Sequence, residues 1–358
     1  MISRIREPVK RKGATKYLRL TLLSFASSVI FVRSFLVATG YPQLGTSELH
    51  IAHVLLGGAL LFTAALLPLI YANRWVYTWN SVLAGVGVGL FIDEVGKFIT
   101  RNNDYFHPAA APVIYASFLL VSLITIQVSR GQPRKTRSRF YQILEDLQEV
   151  LDRDLNPQEQ RQIEDDLRWI SDSAENPDLI ILAERLLEFL EHESIHIVKE
   201  KEDLAEKIRI RLRNLEKALI KPGLLMSFNV IGMASIGVFS AFKLPVLLRA
   251  LENPSILEDL IKDLVARGYV LSGTMKFWAM AQLSLEVSMG FLLILASALL
   301  VFNKKELGLE VGRIGLLVYL TIVDVLLFYI SQFSTLLNAV IQLMVYLGVS
   351  YYRSNFLD

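Results

Sequence analysis

The sequence predicts an all-α polytopic membrane protein, with about eight transmembrane helices in two four-helix halves and a cytoplasmic helical domain between them. Three observations carry this. Apolar residues make up 53% of the 358 residues, against about 45–50% in soluble domains. They gather into eight runs, each of roughly 20 residues, the length an α-helix needs to cross a bilayer. Between the fourth and fifth runs lies a charged stretch, Ser129 to Pro222, whose apolar residues recur at helical spacing. The net charge of +2 argues against a nucleic-acid partner. The absence of cysteine removes disulfides, thiolate metal sites and iron–sulfur clusters.

The first run, Leu18 to Thr39, follows a basic segment in the manner of a signal peptide. Its length of roughly 22 residues and its internal Arg33 mark a retained span instead. The next three are Ile51–Tyr71, Val76–Thr100 and Ala109–Val128, closing a first half at 1–128. The charged domain covers 129–222. The second half, 223–358, holds spans at Leu224–Leu248, Met275–Phe302, Ile314–Ser331 and Thr335–Tyr352. Loop charges set the orientation. The first 19 residues hold seven Lys and Arg, the charged domain holds 17, and the turn at 303–313 adds Lys304, Lys305 and Arg313. The loops at 41–50 and 331–334 hold none. Both termini are therefore expected on the cytoplasmic side of the plasma membrane. The 249–273 loop fits this scheme least well, because Arg249, Lys262 and Arg267 fall outside.

In the charged domain, Ile143, Leu144, Leu147, Val150 and Leu151 mark one amphipathic stripe. Leu204, Ile208, Leu212, Leu215 and Leu219 mark another with near-heptad spacing. Asn156-Pro157 and Asn176-Pro177 are helix starts, a capping residue followed by proline in the first turn. The pattern predicts a small helical bundle, a candidate surface for a protein partner. No strand pattern is present, so a nucleotide-binding α/β domain is excluded, and with it an ATP-driven transporter within one chain. On the outer side, 254–266 reads as an amphipathic helix, with Ile256, Leu257, Leu260, Ile261, Leu264 and Val265 on its apolar face. Its polar face is mostly acidic, which favours a lid packed on the helix bundle over a helix lying on anionic lipid.

Charged residues inside apolar spans are costly and mark candidate sites. Counting about 1.5 Å per residue places Arg33, His53, Asp93, Glu94 and Lys97 together in the outer third of the membrane. Asp93 and Lys97 are four apart and are expected to pair. Glu94 points elsewhere, toward Arg33 or His53. This group is either an ion-pair lock between helices or a polar path open to the outside. His50, His53, Asp104 and His107 also have a spacing from which a divalent metal shell can be assembled, although no resident cofactor is expected. His192-Glu193-Ser194-Ile195-His196 fits the zinc-peptidase pattern HExxH. A helical wheel sets His192 well away from the core stripe, so a solvated helix face is the better reading. Gly85-Val86-Gly87-Val88-Gly89 lies within a span and follows no strand, so it is a helix-packing motif rather than a dinucleotide fingerprint.

The second half carries Lys243, Glu286 and Asp324 within spans five, six and seven. Thr335, Asn338, Gln342 and Tyr346 form a polar stripe on span eight. Spans one to three align loosely with spans five to seven, matching Arg33 with Lys243, His53 with Glu286, and Glu94 with Asp324. Parallel repeats around polar sites are a transporter habit. The runs HIAHVLLGG and FIDEVGKFIT, followed by NDYFHPAAAPVIY, resemble a family of uncharacterised prokaryotic membrane proteins. That resemblance covers the first four spans best, about a third of the chain. It implies that His50, His53, Asp93, Glu94, Lys97, Asp104 and Tyr105 act as one unit, and it implies no chemistry. The leading expectation is a carrier or permease for a small solute, with Glu94, Glu286 and Asp324 as proton or ion sites. The alternatives are a membrane scaffold or signalling protein acting through the charged domain, and an intramembrane metal-dependent enzyme.

Overall fold

The computed structural model describes residues 7–39, 53–105, 107–129, 135–152, 155, 157–190, 221–266 and 274–357. His50, the HExxH stretch at 192–196 and the apolar stripe at 204–219 lie outside them. Among the described residues all regular structure is helical. Seven helical stretches among the described residues are long and apolar enough to cross a membrane, and the chain is an all-α polytopic membrane protein. Large apolar side chains on these stretches, such as Leu69, Phe242, Val301 and Leu337, are exposed, as contact with lipid requires.

In chain order the helices are α1 (Ala14–Thr39), α2 (His53–Ile70), α3 (Trp75–Asp93), α4 (Val95–Ile99), α5 (Ala110–Ser129), α6 (Thr136–Asp152), α7 (Pro157–Ser173) and α8 (Pro177–Leu190). They continue as α9 (Pro222–Ala241), α10 (Leu244–Glu252), α11 (Ile256–Leu260), α12 (Lys262–Ala266), α13 (Thr274–Val301), α14 (Lys305–Val318), α15 (Asp324–Ser331) and α16 (Leu336–Phe356). A π-helical turn, Tyr319–Val323, joins α14 to α15. The two proline starts of the charged domain fall where the sequence predicts them, at Pro157 and Pro177. Asn176 Oδ1 accepts the Asp178 amide at 3.0 Å there.

Two boundaries differ from expectation, each for a local reason, and the turn near 331–334 falls where the sequence predicts it. The third span does not run on to Thr100. Helix α3 stops at Asp93, Glu94 leaves helical geometry at ψ 7°, and α4 restarts at Val95. The seventh span begins at Lys305, not Ile314. Its charges had suggested a turn, but Gly308 and Gly312 there lie close against Leu300 and Met233, so a small-residue face packs while the charged face stays out. The last apolar stretch covers 52 residues, Lys305–Phe356, and is folded back on itself. Gln332 takes a φ of 50°, a short 3₁₀ turn follows at Gln332–Thr335, and α16 packs along α14. This stretch supplies two crossings.

The described chain divides into two compact units. The first takes in α1, most of α2 and α3, the end of α5, and α6–α8. Gly85 and Gly89 of α3 lie so close to α1 that an added methyl group would strike the Thr21 carbonyl oxygen or Ser28 Oγ. Gly87 faces Gly57 and Leu61 of α2 in the same manner. Helices α6–α8 enclose their own core of Phe140, Ile143, Leu155, Ile163, Leu167, Ile170, Ala183 and Leu190, where each large side chain is worth about 1.5–3 kcal/mol. Of the predicted α6 stripe, Ile143, Leu147 and Val150 join this core, whereas Leu144 and Leu151 are exposed. An ionic seam ties α6 to the span ends: Arg11–Glu145 at 2.6 Å, Lys12–Asp146 at 2.5 Å, and Arg74 on both Asp146 and Glu149. The N-terminal segment, the 71–74 turn and α6 therefore share one face of the unit.

The second unit holds residues 49–54, 90–120 and 211–358. Helix α9 packs on α13, α13 on α14, α14 on α16 and α16 on α9, closing a four-helix ring. Gly237 and Gly290 let α9 and α13 approach closely at one crossing. The predicted lid is two short helices, α11 and α12, not one. Leu257, Ile261 and Leu264 bury against Ala250, Met275 and Ala279, and Glu258 reaches Lys276 at 2.6 Å. The side chains of Leu260 and Val265 lie outside the described set.

Candidate functional site

Two polar constellations stand inside the second unit. The first is built by the break at Glu94. Asp93 and Glu94 are both fully buried, at 0% exposure, and two adjacent carboxylates in such surroundings need donors. Because the chain leaves helical geometry at Glu94, Lys97 reaches Glu94 Oε1 at 2.6 Å. The Val54 amide, in the first turn of α2, donates to Glu94 Oε2 at 2.9 Å. Asp93 Oδ2 accepts the Tyr105 hydroxyl at 2.5 Å. His53 stands between the two, its Nε2 3.3 Å from Asp93 and its Nδ1 3.6 Å from Glu94. Gly96 makes this possible. A Cβ there would sit 2.7 Å from the Asp104 carbonyl oxygen and 2.8 Å from that of Tyr105, so only glycine lets the exit loop fold down far enough for Tyr105 to reach Asp93. Removing the hydroxyl with Tyr105→Phe is expected to cost about 1–3 kcal/mol, the range for a buried charged group losing a donor. Thermal unfolding in detergent measures it, and an unchanged midpoint would show the bond to be idle.

The second constellation lies in the four-helix ring. Glu286 of α13 is buried, at 1% exposure. Lys243, at the break between α9 and α10, reaches its Oε1 at 2.5 Å. Gln282, one turn earlier on α13, donates to Oε2 at 2.5 Å. The Tyr319 hydroxyl lies 3.2 Å from Oε1 and 2.9 Å from Ser240 Oγ. Asp324, also 1% exposed, sits at the end of the π turn. In that turn the Asp324 amide donates to the Tyr319 carbonyl, five residues back, which leaves the Leu320 carbonyl for another donor. Tyr115 of α5 takes that place, its hydroxyl 2.9 Å from Leu320 O and 3.2 Å from Asp324 Oδ2. Stacking on Phe328 at 4.3 Å holds the Tyr115 ring. Gln342 of α16, its amide nitrogen assigned toward Asp324, donates to both carboxylate oxygens.

Part of this constellation borders a cleft of about 480 Å³, within the range of small-molecule sites. Lys243, Glu286, Tyr319 and Gln342 line one part of it, joined by Ser240, Thr335 and Asn338. Ile236, Phe239, Leu327 and Ile341 form apolar walls. The lining thus offers a cation, an anion, neutral donors and acceptors, and an apolar surface, a set suited to a small polar solute.

No family model, curated protein or solved structure matches this chain.

Of the residues singled out in the sequence, the structure brings His53, Asp93, Glu94 and Lys97 together, and separately Lys243 with Glu286. Asp324 lies one π turn beyond Tyr319, which itself touches Glu286. Arg33 is on α1 in the first unit. Among the described residues no group of three His, Cys, Asp or Glu is arranged to hold a metal ion. His107 Nδ1 accepts the Ala109 amide at 3.2 Å and so helps start α5, and the Asp104 amide donates to Thr100 Oγ1 at 2.8 Å. His50 lies outside the described residues. The sequence reading missed Tyr115, Tyr319, Ser240 and Gln282. The one signal available was placement: each tyrosine falls within a span, where its hydroxyl must find a partner.

Proposed function

We propose that this protein is a carrier for a small polar solute, with Glu286 and Asp324 as its ion or proton sites and Glu94 as a further one. The observation that carries this is the cleft in the four-helix ring. Its lining includes the Lys243–Glu286 pair, and two lining side chains, Tyr319 and Gln342, hydrogen-bond the two buried carboxylates. Intramembrane carboxylates facing a cavity are typical of ion and proton pathways. In this reading the N-terminal segment, the 71–74 turn and α6–α8 face the cytoplasm, as their Lys and Arg content favours.

The test is proton flux in proteoliposomes loaded with a pH-sensitive dye and challenged with a panel of amino acids, sugars and organic acids. At least one solute is expected to drive a pH change in the wild type. Glu286→Gln and Asp324→Asn are each expected to cut it tenfold or more while eluting as the wild type does in gel filtration. Flux that no solute elicits, or that both variants retain, would overturn the proposal.

A second reading, a scaffold that recruits a protein through α6–α8, draws on the exposed Leu144, Leu151, Ile181 and Phe189 of that bundle.

A further inference from the structure

The cleft of the four-helix ring has a buried interior and one exposed side. Ser240, Glu286, Tyr319 and Gln342 of its lining are buried. The exposed side belongs to α9 and α16, with Ser235 and Phe239 on one and Asn338 and Ile341 on the other. These two helices touch where a Cβ added at Gly232 would strike Val345 and one added at Gly348 would strike Asn229. One turn beyond that crossing, Ser235 and Ile341 already line the cleft, so its mouth is the gap between α9 and α16. We infer that this cleft takes a single-chain amphiphile with an uncharged, hydroxyl-bearing head, which enters the cleft while the chain stays in the bilayer. The inference rests on the reading of the cleft as a solute site and names the class of its ligand.

The frame of the mouth calls for the chain. Phe239 and Ile341 are exposed, and so are Phe242, Leu337 and Met344 on the same helical stripes, which makes this a surface for hydrocarbon. A free sugar would have to leave water for that surface before reaching the polar interior. An amphiphile already stands beside it. The cleft also reaches a membrane face, because Ser331 and Ser334 at the reversal between the last two crossings line it. Gln342 lies seven residues past Thr335 on the same wall, about 10 Å deeper at 1.5 Å per residue. A head at the interface can therefore slide inward along the groove with its chain still among lipid tails.

The lining sets the character of the head. Lys243 and Glu286, its one cation and one carboxylate, are already joined at 2.5 Å. A charged head would be taken out of water and find no free counter-charge, which is costly. The groups nearer the mouth are neutral: the hydroxyls of Ser235, Ser331, Ser334 and Thr335, and the Asn338 amide. Ser334 and Thr335 give their protons to the Ser331 and Gln332 carbonyls, which leaves their oxygens as acceptors. Hydroxyls on a ligand both donate and accept, so a head that carries several can meet these acceptors and the Asn338 amide together.

The chain has no cysteine, so Ser235→Cys places a single thiol at the mouth with little change of shape. The full chain carrying it, in phosphatidylcholine nanodiscs free of detergent, is labelled with a membrane-permeant maleimide. Decyl glucoside, kept below its micellar concentration, is expected to slow labelling about fivefold, as occupancy at a few times the dissociation constant gives. Decyl sulfate and decyltrimethylammonium, with the same chain and charged heads, are expected to slow it much less, and glucose not at all. Leu69→Cys, exposed on α2, reports any general effect of an amphiphile on the disc and is expected to keep its rate throughout. Should Ser235→Cys fail to fold, Asn338→Cys supplies the thiol on the opposite rim. Protection by glucose equal to that by decyl glucoside overturns the inference and leaves the solute reading standing. Equal protection by all three amphiphiles, equal slowing at Leu69→Cys, or no protection by any probe also overturns it. Protection by decyl glucoside alone, in a protein that shows no solute-driven proton flux, upholds the site and sinks the carrier.

Discussion

Replacing Lys243 by methionine is expected to destabilise the protein by about 3 kcal/mol, the lower end of the cost of stripping a buried ion pair of one partner. The lower end applies because the Lys243 side chain is 34% exposed whereas that of Glu286 is 2% exposed. Gln282 and Tyr319 still donate to Glu286 in the variant, but neither carries a charge. Glu286→Gln keeps the shape and removes the buried charge, so it is expected to cost only about 1 kcal/mol. The double variant is expected to recover most of the Lys243→Met loss. Equilibrium unfolding in mixed micelles, run as a double-mutant cycle, measures this. Strictly additive losses would mean that the two side chains meet without stabilising each other.

Gly85→Val is expected to match that loss, at about 3 kcal/mol, from overpacking alone. The new side chain would enter space already held by the Thr21 carbonyl oxygen, Ser24 Cβ at 2.7 Å and the Phe25 amide at 3.0 Å. Two of these three atoms belong to the backbone of α1, which yields only if the whole helix moves. Gly58 is the internal control, since nothing lies within 4 Å of a Cβ placed there. Gly58→Ala is expected to be neutral or slightly stabilising, because alanine is the better helix former by about 1 kcal/mol. Equal losses at the two positions would show that helix propensity, not the contact with α1, decides the outcome.

Most of the fold was legible because a bilayer imposes so strong a pattern. An apolar run of about 20 residues has few other readings, and the observed spans begin and end within a few residues of the expected ones at α2, α5 and α13. What escaped was the behaviour of single residues inside those runs. Nothing in FIDEVGKFI announces a break at Glu94, since there is no proline and Gly96 comes two residues later. Helical spacing without the break pairs Lys97 with Asp93, whereas in the structure it reaches Glu94. The start of α14 was hidden by Lys305, Glu306, Glu310 and Arg313, which read as a turn until Gly308 and Gly312 are seen to be the packing face. Tyr115 and Tyr319 counted as part of the apolar background in a hydropathy pattern, although their hydroxyls hold the two buried acids. A periodic pattern reports which face of a helix is buried. It does not report which of the buried groups carries a proton donor.

The reversal at Gln332 bears on how the chain is made. Residues 332–335, Gln-Phe-Ser-Thr, contain no formal charge, so carrying this tip across the bilayer during synthesis requires no ion to be dehydrated. The two arms of the hairpin also bring complementary groups, the Asp324 carboxyl on one and the Gln342 amide on the other. The two groups therefore satisfy each other within the hairpin itself, without help from another helix of the ring. The last two spans are in this sense one piece, and a chain truncated before Gln342 leaves the Tyr115 hydroxyl, 3.2 Å away, to hold Asp324.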